Sequence, residues 1–513
     1  MKPWMKRNRF GTGVAIVGFW LGVIGLSLAL SGDFPRFQFF PDVGGAVAAL
    51  ITPTPVTDGT TSAFAMDEHA ADEHANDDDP MTTRDASGWL RTISHDGAID
   101  KNNAFFKSIG TNGRSCGSCH VQSAAWSITP LELQARFAAT GGNDPIFRRN
   151  DGSNSPNADV STVSARRNAY SMLLRRAVIR VGIAIPASAE FNLADVQDPY
   201  GYASASELSL FRRVLPSTNL SFLTGLMWEG RETVTPFLPP MHAGQDNTAL
   251  QTALIQQSTH ATLGHAQAAN PPSSEQLAEI VSFETGLTTA QIQDDAADFL
   301  NADDAIGGPR VLTAQRFHIG INDTLGADPT GALFDPGSMS LFAAWNQTGN
   351  NSQRSRARAS IARGEALFNH LPISITGVGG LNDALGIPTI AGTCTTCHNS
   401  PNVGNHSVAL PLNLGLTDAS RRTPDMPLYT LRNKTTGVTV QTTDPGLALI
   451  TGKWKDIGRF KGPILRGLVA RPPYFHNGFA ASLTDVVEFY NTRFAINMDD
   501  RQKRDMVAFL RSL

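Results

Sequence analysis

Cys116-Gly117-Ser118-Cys119-His120 and Cys394-Thr395-Thr396-Cys397-His398 decide the reading of this 513-residue chain, and between them they use all four of its cysteines. Each has the form C-x-x-C-H. In that pattern two thiols close thioethers onto the vinyl groups of a haem, and the adjoining imidazole becomes the proximal ligand of its iron. Two copies with no cysteine left over predict two covalently bound haem c groups, attached at Cys116, Cys119, Cys394 and Cys397 and ligated by His120 and His398. Other uses of these residues explain less. A thioredoxin-like dithiol needs a strand before it in a βαβ unit, whereas the motifs follow the polar, glycine-bearing runs Ile109-Gly110-Thr111-Asn112-Gly113 and Ile390-Ala391-Gly392. A zinc site built from both cysteine pairs leaves the two histidines without a purpose. Two disulfides across two-residue spacers would close rings too small to constrain the unfolded chain.

A chain of this length predicts two domains with sizeable cores, and a formal net charge of −4 gives no footprint for nucleic acid. Lys2, Lys6, Arg7 and Arg9 precede a nearly uncharged run from Gly11 to Gly32. Residues 1–32 therefore read as an export signal, either cleaved or kept as a membrane anchor, and the body of the protein is expected to be periplasmic, secreted or tethered to the membrane by this segment. Residues 33–87, rich in Pro, Thr, Ala and acidic side chains, read as a disordered linker, with His69 and His74 as solvated residues rather than metal ligands.

Folding is expected to begin near Trp89-Leu90, with Asn103–Ile109 as a short apolar helix walling the first haem. Trp126 would either shield the porphyrin edge or sit in the core. A basic helix around Arg166, Arg167, Arg175, Arg176 and Arg180 offers surface cations, some of which would suit haem propionates. Residues 183–202 read as a surface excursion with short strands. Further helices are expected over Leu254–Ala268, around Ile280–Glu284 and over Asp499–Leu513, with a linker at Asn346–Ser355, and Arg358–Phe368 resembles the first helix of a cytochrome c domain.

Three further stretches carry a family resemblance: Leu226-Met227-Trp228-Glu229-Gly230-Arg231, then Phe460-Lys461-Gly462-Pro463-Ile464-Leu465-Arg466, then Pro473-Tyr474-Phe475-His476-Asn477-Gly478. In order and spacing, with the two haem motifs, they resemble the bacterial di-haem cytochrome c peroxidase and MauG superfamily. The resemblance implies a mainly α fold of two cytochrome c-like haem domains, residues 88–345 with a long insertion and residues 346–513. It also implies that Trp228 relays electrons between the haems. Gln257 would line a peroxide pocket at the first haem. The position ten residues on, which the family fills with an acid–base carboxylate, holds Gln267, so His265, or more distantly Glu284, would move the proton. No histidine falls near Arg136, where many relatives ligate the first iron a second time, which implies an open face there.

Fourteen residues after His476, where peroxidases carry a methionine ligand to the second haem and MauG-like members a tyrosine, stands Tyr490; Met498 is its rival. A phenolate favours higher iron oxidation states than a thioether does. The family also places a calcium ion on an Asn side chain and on backbone carbonyls of a triplet that reads Arg471-Pro472-Pro473 here. The function implied is peroxide-dependent oxidation of a small redox protein, a cytochrome c or cupredoxin, or of side chains on a protein substrate. The alternative is a non-enzymatic di-haem electron-transfer cytochrome.

Overall fold

The alternation of Gly88-Trp89-Leu90-Arg91-Thr92-Ile93-Ser94 places every second side chain inside, and these residues form a strand rather than leading into helix. Thr82–Arg84, at the end of the segment read as a linker, pairs with it on one side and Leu287–Asp294 on the other, and Asp298–Phe299 completes a four-stranded antiparallel sheet. The structure is a computed structural model that describes residues 79–223, 225–233, 248–315, 335, 337–347, 351–405 and 411–513. The predicted export segment, and the linker up to residue 78, lie outside the described residues. All of these described residues fall within one unit, Glu73–Leu513. None of the helices among them is long and apolar enough to cross a membrane.

The mainly α expectation is overturned: 34% of the described residues are helical and 18% are in strands and bridges. Three more antiparallel sheets account for the difference. Val178–Ile183 pairs with Leu208–Arg213, Ile373–Thr376 pairs with Thr389–Gly392, and Phe191–Gln197 joins Leu428–Asn433 and Thr439–Thr442. The excursion predicted over 183–202 thus contributes a strand to a sheet built mostly from the other half of the chain. The run before the second haem motif is also a strand, but in a hairpin and not in a βαβ unit. The short helix expected at 103–109 is a single 3-10 turn, Ala104–Phe106.

The helices near the second motif stand where the sequence puts them. Gln353–His370 packs against the terminal helix Asp500–Arg511, with Ile361, Phe368, Met506 and Phe509 in one core. Gly364 permits this approach, since a Cβ there would lie 2.0 Å from the Asp505 carbonyl oxygen. Beside it Asp505 accepts from Arg363 at 2.8 and 2.9 Å and from Ser360 at 2.5 Å. The same core takes in Ala297, Leu300, Met339, Phe342 and Trp345. Buried Glu365 secures that stretch, its carboxylate accepting from the backbone N–H groups of Leu341 at 2.5 Å and Phe342 at 3.1 Å.

Candidate functional site

The two C-x-x-C-H stretches fold alike. Each cysteine pair spans one 3-10 turn, Cys116–Ser118 and Cys394–Thr396, opened by a hydroxyl residue whose N–H donates at 3.0 Å to the side chain three positions on, Ser118 in the first and Thr396 in the second. In both, the histidine N–H closes back on the first cysteine carbonyl, at 3.0 Å for His120 and 2.9 Å for His398. The four thiols are free. Burial raises the pKa of all four, those of Cys394 and Cys397 to about 12.

The imidazoles are oriented from behind. Nδ1–H of His120 donates to the Trp126 carbonyl at 3.0 Å and meets Ser217 Oγ at 2.9 Å; Nδ1–H of His398 donates to the Gly404 carbonyl at 2.7 Å. A carbonyl can only accept, so the lone pair in each neutral ring is on Nε2, the tautomer a metal ligand requires. Burial takes the pKa of His120 down to about 4, which keeps it neutral.

Cys116, Cys119 and His120 open onto one cavity, and Cys394, Cys397 and His398 onto another. Free thiol pairs, a preset histidine tautomer and an apolar lining all fit haem c.

The first cavity gathers every residue predicted for it: Trp228, Gln257, His265 and Glu284. The helix Thr248–Gly264, which starts and stops a little earlier than expected, supplies Gln257, Ser258, Ala261 and Thr262 from one face, and His265 follows at its end. His265 Nδ1 lies 2.5 Å from Asp151 Oδ2, and Asp151 Oδ1 takes Arg114 Nη1 at 2.5 Å. Burial opposes the Asp151 charge, but Arg114 and His265 outweigh it and hold its pKa below the ordinary range. Asp151 also lines the cavity; its partner His265 lies far along the chain, with no local signal in the sequence to join them. Glu284 sits on another side, behind His120: Ser217, which meets His120 Nδ1, also reaches its carboxyl. Glu284 is buried, and its Oε2 finds no partner among the described residues.

Tyr490 and Met498 both line the second cavity. Tyr490 is the one in ring contact with His398, with centroids 6.3 Å apart and planes at 80°. Burial lifts its phenol pKa, and the nearby Cys397 and Cys394 add to the rise.

The cavities share a wall. Arg213, Val214, Leu215, Pro216, Trp228, Lys461 and Ile464 line both. Trp228 is braced on two sides, its indole N–H donating to the Arg213 carbonyl at 2.8 Å and its own carbonyl accepting from the Lys461 N–H at 2.8 Å. Next to it, buried Glu229 pairs with Arg212 at 2.5 Å and with Arg231 at 2.5 Å, and Arg212 pairs with Asp444. Lys461, Arg466 and Arg471 are taken below their usual pKa by burial, to about 8, 10 and 10, and among the described residues none of them is ion-paired to a carboxylate. Such cations suit a buried acid such as a propionate. The arginines proposed from sequence have protein partners instead: Arg166 the Gly141 carbonyl, Arg167 the Phe137 ring, Arg175 and Arg176 Asp425, and Arg180 Glu207.

Two like C-x-x-C-H turns, two preset histidines and an indole wall between their cavities fit a protein that holds two haem groups. No family model matches the chain. Its sequence relatives bear the resemblance out: it is similar to cytochrome-c peroxidase IdrP1 of Pseudomonas sp. (strain SCT), 29% identical over 140 residues, 23% of this chain and 36% of the relative. It is also similar to cytochrome-c peroxidase IdrP2 of Denitromonas iodatirespirans, 30% identical over 142 residues, 26% of this chain and 38% of the relative. The matches thus span little more than a third of these relatives' length. Among solved structures it aligns with a MauG-like protein associated with microbial copper homeostasis, at 14% identity and a TM-score of 0.32 over 82% of this chain and 91% of that one. A variant of the diheme peroxidase BthA from Burkholderia thailandensis aligns at 16% identity and a TM-score of 0.29, covering 84% and 95%.

Proposed function

We propose that this protein is an exported di-haem peroxidase that reduces hydrogen peroxide at the His120 site, with electrons entering through the His398 site and crossing the wall at Trp228. The observation that carries the reading is the convergence of Gln257, His265 and Asp151 on the cavity of the first haem motif. Haem ligated by His120 would supply the iron at which the O–O bond is reduced. The balance is one peroxide, two protons and two electrons to two waters. Asp151 fixes the Nδ1 side of His265, which leaves Nε2 to take a proton from one peroxide oxygen and return it to the other. The Gln257 amide would orient the substrate. Among the described residues lining the His120 cavity, His265 is the only histidine besides His120.

The electron source is a small redox protein in this reading. The ring contact between Tyr490 and His398 favours a second form of it, in which the second haem holds oxidising equivalents for side chains of a protein substrate, as MauG-like members do. The deciding experiment replaces His265 by Gln and follows peroxide reduction in protein of unchanged haem content. A fall of about 10²–10⁴-fold in rate is expected, and a rate that holds would reject His265 as the proton carrier.

A further inference from the structure

We propose that the Arg213 guanidinium is the structural cation of the wall between the two cavities, seated on backbone carbonyls that the family resemblance assigns to a calcium ion. The resemblance places calcium on the triplet Arg471-Pro472-Pro473. Here Arg213 Nη2 donates to the Arg471 carbonyl at 3.2 Å and the Pro472 carbonyl at 3.4 Å, while Nη1 donates to the Ala177 carbonyl at 2.9 Å and the Arg176 carbonyl at 3.4 Å. A ring of carbonyl oxygens is the environment a hard cation takes, and here a delocalised one belonging to the chain already fills it. None of these acceptors is a carboxylate. Arg213 is buried, and burial followed by the charge of Arg471 brings its pKa to about 9, so it is charged at neutral pH in surroundings that repel a further cation.

The same residue ties the wall together. Its N–H donates to the His476 carbonyl at 2.5 Å, and its own carbonyl takes the Trp228 indole. Phe475, at a φ of 66°, makes the turn from which the His476 carbonyl reaches back. One residue therefore joins these parts: its side chain ties the Arg471 and Pro472 carbonyls to those of Arg176 and Ala177, and its backbone ties His476 and the Trp228 indole to the end of the strand.

The inference deepens the di-haem reading and rests on it for the identity of the wall, but its hydrogen bonds stand without haem. The test uses the protein as purified, treated with EGTA and then titrated with calcium, with unfolding followed by tryptophan fluorescence and bound calcium by metal analysis. Wild type is expected to retain no calcium, and neither EGTA nor millimolar calcium should shift its unfolding temperature or its haem spectrum. One tightly held calcium per chain, whose removal lowers the unfolding temperature, would overturn the proposal. Arg213→Asn vacates the carbonyls and is expected to gain a calcium-dependent rise in unfolding temperature, while Arg213→Lys, which keeps a cation, should stay indifferent. A folded Arg213→Asn protein that ignores calcium would equally overturn it. Should Arg213→Asn fail to fold, the two wild-type arms decide alone. Colourless protein would refute the haem reading and leave the fluorescence arm readable.

Discussion

Glu284 shows how a single buried carboxyl makes this fold sensitive to pH. Burial lifts its pKa from 4.5 to about 7, with Ser217 working in the opposite direction. Because the folded pKa is above the unfolded one, the contribution is whole below about 4.5 and is lost as pH climbs through about 7. Glu284→Gln is expected to flatten the decline of stability between about pH 5 and pH 8, and to raise the unfolding temperature at the alkaline end by the equivalent of at most about 3 kcal/mol. Thermal melts across that range check it, and an unchanged slope would remove Glu284 from the account. At Tyr490, replacement by Phe keeps the ring and deletes the hydroxyl. The low-spin ferric signal in electron paramagnetic resonance should change if that oxygen ligates the second haem, and an unaltered signal would pass the role to Met498. Cys116 and His398 were legible because the C-x-x-C-H spacing marks them, and Trp228 because its stretch resembles that of the family. Asp151 and Arg213 were not: a loop aspartate and a strand arginine gain their meaning only from partners far along the chain, His265 at one and Arg471 at the other.

At the scale of elements, helices near the second motif were readable and strands largely were not. Gln353–His370 and Asp500–Arg511 announce themselves by local periodicity and meet through a single contact surface. Phe191–Gln197 has mixed exposure along its length, and it becomes a strand because Leu428–Asn433, from the other half of the chain, offers it an edge. Short strands were expected over 183–202, but nothing local names a partner that lies in the other half of the chain. The helix pair makes its own prediction. Gly364→Ala would drive a methyl into the Asp505 carbonyl and is expected to cost about 1–3 kcal/mol of unfolding free energy, measured by denaturant titration. A neutral result would mean the helices separate without penalty.

At the scale of the whole molecule, the two halves were read as successive domains; Ala297, Leu300, Met339, Phe342 and Trp345 share a core with the helices Gln353–His370 and Asp500–Arg511, and the two cavities share residues 213–216, Trp228 and Lys461. The expected haem content is two per chain, and Cys394→Ala with Cys397→Ala should halve it, as counted by pyridine haemochrome absorbance. The common partition carries a further consequence. Arg213 and Lys461 line both cavities, so two haems bound there would draw on one pool of positive potential, and an electron gained by either would make the other harder to charge. A potentiometric titration of the intact protein should then broaden beyond two independent one-electron waves and regain the simple shape when either chromophore is deleted: the pair would behave as one capacitor with two plates.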